Sequence, residues 1–443
     1  MVTHRWRGLS TDSQQQDRLR QHGQRQRYNA LSEVHRTLNM NTENQKEGYQ
    51  GLGNIVLLCL AGLCSLVIFA WPASRMLTPD FSSELVRHSQ LLRSLEQQQT
   101  PPYSLWYLLQ KLIAKDNLSE HVLLASGLLL IGSFATLKGF LLTGLLRSSR
   151  FGAIQSLVGG LLLGTAVAMP LPMIERISPM YQMKTQYLGT IPANTFMSAT
   201  QLVANVGVLP AFVGLQLWCL KPTRKGYAIM LSLCMLATIS KAGIAPALLA
   251  AIVCCSIVHR WQSGSWQLQS LWQILIAAAL LLTPSAIVSH YYMSGGGWMN
   301  IKAVLAPLAT WKAYSAQIGI DILSSLAFPL MVLVALIMQW KHERGNSDRS
   351  TTALMGLLPS IIATTTALLI FILIAEIVNG AFLHSGNFIW AAISANAGWH
   401  LTAFISLKSL DPARTIVPVS ILLLEAVGGL SYIWNYMHTG SFL

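Results

Sequence analysis

Eleven apolar runs recur between Gly53 and Ile433, and they constrain the fold more than any other feature of this chain. A helix needs about 20 mostly apolar residues to cross a bilayer, and the runs reach or approach that length. They are Gly53–Ala73, Val122–Leu142, Phe151–Met169, Ala199–Leu220, Tyr227–Ile239, Gly243–Val258, Leu271–Val288, Ile322–Met338, Ala353–Val378, Phe388–Leu407 and Ile416–Ile433. Only 11% of the residues are charged, which excludes an ordinary soluble protein. The sequence therefore predicts an all-α polytopic membrane protein with about 11 transmembrane helices.

The fifth and sixth runs are short, and Lys241, Gly243 and Pro246 interrupt what would otherwise be one overlong helix. These two runs are interpreted either as two short spans or as a re-entrant pair buried within protein.

Positive charge predicts the orientation, because cytoplasmic loops carry an excess of Lys and Arg. With the N-terminus inside and eleven crossings, the inner loops hold 11 basic residues, while the much longer outer segments hold 10. We therefore expect a cytoplasmic N-terminus and an outside C-terminus. This topology puts long loops near 74–121, 170–198 and 289–321 on the outer face.

Residues 1–52 hold eight Lys and Arg residues among many Gln and Asn, and they precede the membrane domain predicted for 53–443. This composition predicts a disordered basic cytoplasmic tail next to anionic lipid. Nucleic-acid binding is the alternative, but the stretch holds only three aromatic residues, Trp6, Tyr28 and Tyr49, and they do not alternate regularly with the basic ones, so no nucleic acid is expected as a partner. The six cysteines show no metal-ligand spacing, and no metal ligand is assigned.

The first outer loop contains two amphipathic stretches. Ser82–Gln97 places four leucines and His88 on one helical face, and Thr100-Pro101-Pro102 ends that helix. Tyr103–Lys115 forms the second stretch. We expect both helices to lie in the membrane interface, the alternative being an ordinary loop packed on the bundle.

Asp80 and Glu84 follow the first span and are four residues apart, so they share a face if the helix begins early. A carboxylate there could take a proton from a hydroxyl that arrives from outside. The alternative is that these acids only stabilise a helix N-terminus.

Short polar motifs are spread between Asp80 and Lys408. They are Pro192-Ala193-Asn194 through Thr200, Ser240-Lys241, Trp311-Lys312 with Tyr314-Ser315, Phe328-Pro329, Ala375-Glu376, and Gly386-Asn387-Phe388 with Trp390. Together with the outer loop they resemble the GT-C superfamily of polytopic membrane glycosyltransferases. More narrowly, they resemble bacterial proteins of that kind associated with surface-polysaccharide gene clusters. The resemblance implies a GT-C-like domain over 53–443 in the inner (plasma) membrane.

The resemblance also implies a reaction in which a sugar moves from a polyprenyl-phosphate carrier to an acceptor on the outer face, in surface-polysaccharide or glycolipid synthesis. Asp80 and Glu84 would then be catalytic. The carrier phosphate would bind Lys241, Arg176, Lys184 and Lys312, and the remaining substrate would bind Glu376, Asn387, Trp390, Asn194 and Trp311. No cofactor is assigned with certainty, and a divalent metal ion is left open. The expected partners are membrane lipid, a polyprenyl-phosphate-linked sugar and polysaccharide-assembly proteins.

Structural alternatives exist for several of these residues. Lys241 could extend to the headgroups or pair with Glu376, and the tryptophans could belong to the interfacial aromatic belt. His400 and Glu425, in the last two runs, could hydrogen-bond to each other as a packing contact or form a proton path.

The alternatives for the whole protein are a flippase or other transporter of lipid-linked saccharides and an inactive scaffold of a polysaccharide-assembly complex. The scaffold is considered because the related proteins usually carry a His after Asn194 and an Arg after Glu376. In this sequence neither residue occurs at the corresponding place, where Phe196-Met197-Ser198 and Asn379-Gly380-Ala381-Phe382 stand instead.

Overall fold

The structure, a computed structural model, describes residues 53–74, 84–97, 104–115, 117–166, 198–263, 268–293, 301–312, 318–343, 348–378, 381–383 and 387–439. Backbone contacts divide the chain into Met1–Leu57 and Leu58–Leu443. Residues 53–57 are the described part of the first unit, and the predicted tail, 1–52, lies outside the described residues. The architecture below is that of the second unit.

Helices make up most of the described chain. In order they are α1 Gly53–Ser74, α2 Glu84–Gln97, α3 Leu105–Ala114, α4 Glu120–Ser148, α5 Ala153–Thr165, α6 Ala199–Leu220, α7 Arg224–Ser240, α8 Ala245–Ser263, α9 Leu268–Met293, α10 Ile318–Ser325, α11 Ala327–His342, α12 Asp348–Leu373, α13 Asn387–Ser406 and α14 Pro412–Thr439. Short 3₁₀ turns cover Ala242–Ile244 and Leu407–Ser409, and a single helical turn covers Ala309–Lys312. Each of the eleven predicted apolar runs contains a helix.

Six of these helices are long and apolar enough to cross a membrane, or seven if the bent pair α10 and α11 forms one span. This confirms a multi-pass membrane protein of mainly helical fold, but not the predicted count of about 11. The helices α5 and α7 are shorter than a span, with 13 and 17 residues. Helix α13 has 20 residues but carries Ser394, Asn396, His400 and Thr402, and these polar side chains are buried against other helices.

A small sheet is the part of the fold that the all-α prediction missed. Strands β1 Ile301–Leu305, β2 Ile374–Val378 and β3 Ala381–Leu383 pair antiparallel in the order β1-β2-β3. Ile374–Val378 was predicted as the end of the ninth span, and that assignment was wrong. Its β-branched residues favour a strand, and the following Asn379-Gly380 favours a hairpin.

Helix α13 separates two ends of the bundle, because 20 helical residues span about 30 Å. Its last turn leads to Lys408, whose Nζ donates to the Ser149 carbonyl at 2.8 Å beyond the C-terminus of α4. Arg349 donates to the Lys408 carbonyl. We call this end of the bundle the basic end, because it carries a cluster of basic residues: Arg147, Arg150, Arg349, Lys408 and Arg414. The opposite end carries the sheet and the N-terminus of α13, and we call it the sheet end.

The two outer-loop helices form where the sequence predicts them, and they pack at the N-terminus of α4. Arg93 Nη2 donates to the Leu118 carbonyl at 3.0 Å, and Gln110 Nε2 donates to the Leu123 carbonyl at 2.9 Å. Since the C-terminus of α4 lies at the basic end, α2 and α3 lie at the sheet end.

A close approach between α6 and α7 depends on Gly207. A Cβ at this position would lie 2.8 Å from the Ala237 backbone N and Cα, which cannot move like a side chain.

Gly207→Ala should therefore lower the free energy of unfolding by about 1–3 kcal/mol, the usual cost of overpacking. Gly144→Ala is the matched control, because its Cβ would meet only a Leu58 methyl at 3.7 Å. Thermal unfolding of both variants in detergent measures the effect, and equal stabilities would contradict the close approach.

Candidate functional site

Lys241 and Trp390 meet at the sheet end. Lys241 ends α7 in an extended conformation, with φ −150° and ψ 91°, and its N–H still donates to the Ala237 carbonyl at 2.9 Å. Its Nζ lies 5.3 Å from the centroid of the Trp390 ring, within the range of a cation–π interaction. Trp390 belongs to the first turn of α13 and is 7% exposed. The contact therefore holds a cation at a helix break, against a mostly covered aromatic ring.

The local sequence explains the break at Lys241. Gly243 and Pro246 disfavour a continuous helix, and Pro246 is tolerated in the first turn of α8, where its N–H would lack a helical acceptor. The 3₁₀ turn Ala242–Ile244 bridges the two helices, and Ser285 of α9 donates to the Ala242 carbonyl at 2.7 Å. The predicted break is thus confirmed.

Glu376 lies in the middle of β2, opposite Ala303 of β1 and Leu383 of β3. Its side chain is only 6% exposed. Strand β2 and the 3₁₀ turn after Lys241 both contact α13, so Glu376 and Lys241 are on elements that share one supporting helix at the sheet end. A buried carboxylate of this kind is costly unless it is paired, which makes it a chemically significant group.

Trp311 and Lys312 occupy the short helical turn Ala309–Lys312, which contacts β3 and α12. The Trp311 ring is 1% exposed and lies 5.1 Å from the Phe371 ring, so protein covers it in this conformation. Lys312 is exposed. Lys312 is therefore the accessible member of this pair.

Several predicted site residues lie outside the described residues: Asp80, Arg176, Lys184 and Asn194. Glu84 and Asn387 begin α2 and α13, and their side chains are likewise outside the described part. Of the predicted residues, the structure brings Lys241 and Trp390 into contact and places Glu376 on a neighbouring element.

Helix α3 presents an apolar face away from the protein. Leu108, Leu112 and Ile113 are 46%, 72% and 38% exposed, whereas polar Gln110 points inward and is fully buried. Lys111 pairs with Glu96 of α2 at 2.7 Å. A helix that buries a polar side chain and exposes leucines is suited to contact with lipid.

Lys138, within α4, was not predicted from the sequence as a functional residue. It is 2% exposed, with its Nζ 5.1 Å from the Phe69 ring centroid. A lone lysine in an otherwise apolar run was the available signal, because ionisable groups inside spans are costly.

The predicted hydrogen bond between His400 and Glu425 is confirmed. His400 Nε2 and Glu425 Oε2 are 3.0 Å apart, and the two side chains are 1% and 0% exposed. The pair lies between α13 and α14, away from Lys241.

Among the described residues, no group of three or more His, Cys, Asp or Glu side chains is arranged to hold a metal ion. Comparison with known proteins identifies no relative: no family model, no curated protein and no solved structure matches this chain.

Proposed function

We propose that the protein is an integral membrane glycosyltransferase that moves a sugar from a polyprenyl-phosphate carrier to an acceptor on the outer face of the membrane. The observation that carries this proposal is the Lys241 ammonium held 5.3 Å from the Trp390 ring centroid at a helix break. Such a cation suits a lipid phosphate, because charge-assisted hydrogen bonds are strong where water is scarce.

The reaction requires a base, a cation for the leaving phosphate, and contacts that hold the sugar. A base takes the proton of the acceptor hydroxyl, and the hydroxyl oxygen forms a bond to the anomeric carbon of the sugar. The bond between that carbon and the phosphate oxygen breaks, and the phosphate leaves with the bonding electrons. Lys241, together with Lys312 from the same end of the bundle, would neutralise the leaving phosphate. Asp80, with Glu84, is proposed as the base.

Glu376 and Trp390 supply the remaining contacts in this proposal. Glu376 would orient the lysine or an acceptor hydroxyl, Trp390 would provide an aromatic edge for a sugar, and Asn387 would donate its amide to a sugar or phosphate oxygen. The exposed leucines of α3 support access of the polyprenyl chain, because they lie at the same end of the bundle and suit lipid.

The topology proposed with this function places the basic end in the cytoplasm and the sheet end outside, in the inner (plasma) membrane. Basic residues from three of the predicted inner loops converge at the basic end, which supports this orientation. The full count of eleven crossings, the cytoplasmic tail and the outside C-terminus remain part of the proposal.

Replacement of Lys241 tests the proposed phosphate site. Lys241→Ala should weaken binding of a polyprenyl-phosphate analogue by about 1.5–3 kcal/mol, the value of a hydrogen bond to a charged group. This corresponds to roughly a 10- to 150-fold rise in Kd, measured with the full chain in lipid nanodiscs. Lys341→Ala is the matched control, because Lys341 is an exposed lysine at the end of α11, away from the sheet end. Unchanged affinity in Lys241→Ala would exclude this lysine as the phosphate ligand.

A second candidate is a transporter of lipid-linked saccharides, and one observation favours it: α10 and α11 are bent by 67° at Leu326, with ionisable groups buried beside the bend. Interrupted spans of this type often form substrate or ion sites in transporters. Proteoliposomes separate the two candidates, since an enzyme yields a glycosylated acceptor whereas a flippase moves the labelled lipid between leaflets. An inactive scaffold would do neither.

A further inference from the structure

The break between α10 and α11 has a cause in the sequence. Pro329 has no N–H to donate to the carbonyl of Ser325, four residues before it, and its ring disfavours a straight helix. The Ser325 carbonyl instead accepts a hydrogen bond from Asn396 Nδ2 of α13 at 3.0 Å. Helix α13 thus satisfies the backbone on one side of the break.

On the other side of the break, at the start of α11, Glu425 of α14 accepts the backbone hydrogen bond. The N–H of Phe328, in the first turn of α11, donates to Glu425 Oε1 at 3.1 Å. A carboxylate at a helix N-terminus also gains from the partial positive charge of that terminus. The break therefore depends on side chains from both α13 and α14.

The hydrogen-bond pattern of His400 requires a proton between it and Glu425. His400 Nδ1 lies 2.9 Å from the Asn396 carbonyl, and a carbonyl can only accept, so Nδ1 must carry a hydrogen. His400 Nε2 lies 3.0 Å from Glu425 Oε2. Without a proton there, the lone pairs of Nε2 and Oε2 would face each other. The contact thus holds one proton, either as imidazolium with carboxylate or as imidazole with carboxylic acid.

We propose that His400 and Glu425 form an exchangeable proton-binding site at the break between α10 and α11, and that release of its proton opens the contact between α13 and α14. In the release step the N–H or O–H bond of the pair breaks and the proton passes to water. The pair then carries a negative charge that the buried site cannot solvate. Opening of the contact and entry of water relieve both the charge and the lone-pair repulsion.

Few other charged groups approach this pair among the described residues. Asp321 of α10 lies about one turn before the break, fully buried, and its carbonyl accepts from the hydroxyls of Ser324 and Ser325. The other described charged or titratable side chains on elements packed against α13 and α14 lie towards the ends of the bundle: Lys341, His342, Arg349, Lys408, Arg414 and His438, and Glu376 on β2. The described parts of α5 and α6 carry no charged side chain, and the titratable group there is the Cys219 thiol in the last turn of α6. The pair and Asp321 therefore determine the charge at the break.

The variant Glu425→Gln tests the site with little change of shape. Its amide oxygen can still accept from Phe328 N–H, and its NH₂ can donate to neutral His400 Nε2, so it imitates the protonated acid. Glu343→Gln is the matched control, because Glu343 accepts from Gln339 at 3.1 Å and from Ser350 at 2.8 Å but lies in the turn after α11.

Infrared difference spectra of the full chain in nanodiscs, recorded as the pH is raised, report proton release. We expect the wild type and Glu343→Gln to lose either a carboxylic-acid or an imidazolium signal that Glu425→Gln lacks. A wild-type spectrum without such a change, or an identical change in Glu425→Gln, would overturn the proposal. The wild-type measurement decides even if the variant fails to fold.

Hydrogen–deuterium exchange, compared between proteins at each pH, reports the opening. At high pH, peptides covering 318–330 and 394–402 should exchange faster in the wild type than in Glu425→Gln, and the difference should vanish at low pH. Equal exchange at every pH would show that the proton does not control this contact.

Discussion

Replacing Glu425 with alanine should lower the free energy of unfolding by about 3–5 kcal/mol, the cost of removing one partner of a buried, hydrogen-bonded acid–base pair. The substitution removes the acceptor of Phe328 N–H and the partner of His400 Nε2 at a site where both side chains are at most 1% exposed. Each polar group left without a partner there costs free energy that water cannot offset. Thermal or denaturant unfolding of the purified protein in detergent measures the loss.

Two variants separate this effect from general damage to α14. Glu425→Gln keeps both hydrogen bonds and should lose much less stability than Glu425→Ala. Leu423→Ala changes a neighbouring leucine that is 47% exposed and should also cost little. Wild-type stability in Glu425→Ala would show that the pair does not hold the broken helix.

Helices were the most predictable part of this fold because their signals are local. The apolar face and the proline break defined α2 and α3 in the sequence, and the structure ends α2 at Gln97, as predicted. In α3 the helix was predicted correctly, but Leu108 and Leu112 are exposed while Gln110 is buried. The sequence pattern marks an amphipathic helix, but it does not tell which face meets protein and which could meet lipid.

The sheet could not be predicted in the same way, because its pairing is not local. Strand β1 pairs with β2 over about 70 residues of intervening chain, so neither sequence alone reveals its partner. The apolar run that ends at Val378 is as compatible with the end of a membrane-spanning helix as with a strand. Glu376 was therefore predicted at a helix end but lies on a strand.

At the candidate site, too, the features that depend on neighbouring residues were predictable, whereas the contacts between residues far apart in the sequence were not. Gly243 and Pro246 predict the break at Lys241, but the Trp390 ring that lies beside Lys241 comes from α13, 149 residues later. The break before α11 was missed even though Pro329 had been singled out as part of a motif. Its effect depends on Asn396 and Glu425, which stabilise the broken backbone from two other helices.

If the protein is the proposed glycosyltransferase with Asp80 as its base, replacing Asp80 with asparagine should lower the turnover of sugar transfer by about 10²- to 10⁴-fold, the usual effect of removing a general base. Asparagine has nearly the same shape but cannot take the acceptor proton, so donor binding and expression should change little. Asp80 lies outside the described residues, but Glu84, four residues later, begins α2, which packs on α4 at the sheet end. The acid is thus expected at the end of the bundle where the phosphate would bind.

Glu376→Gln is the informative comparison, because Glu376 is a buried carboxylate at the sheet end. It lies on a strand that packs against the same helix as the turn after Lys241. If Glu376 orients Lys241, its replacement should weaken donor binding more than turnover, the opposite pattern to Asp80→Asn. Steady-state assays with a polyprenyl-phosphate sugar, which separate kcat from KM, distinguish the two roles. Near-normal turnover in Asp80→Asn would show that Asp80 is not the base. In that case a large loss of kcat in Glu376→Gln would assign the base to Glu376. A large loss of kcat in Glu84→Gln would instead assign it to Glu84.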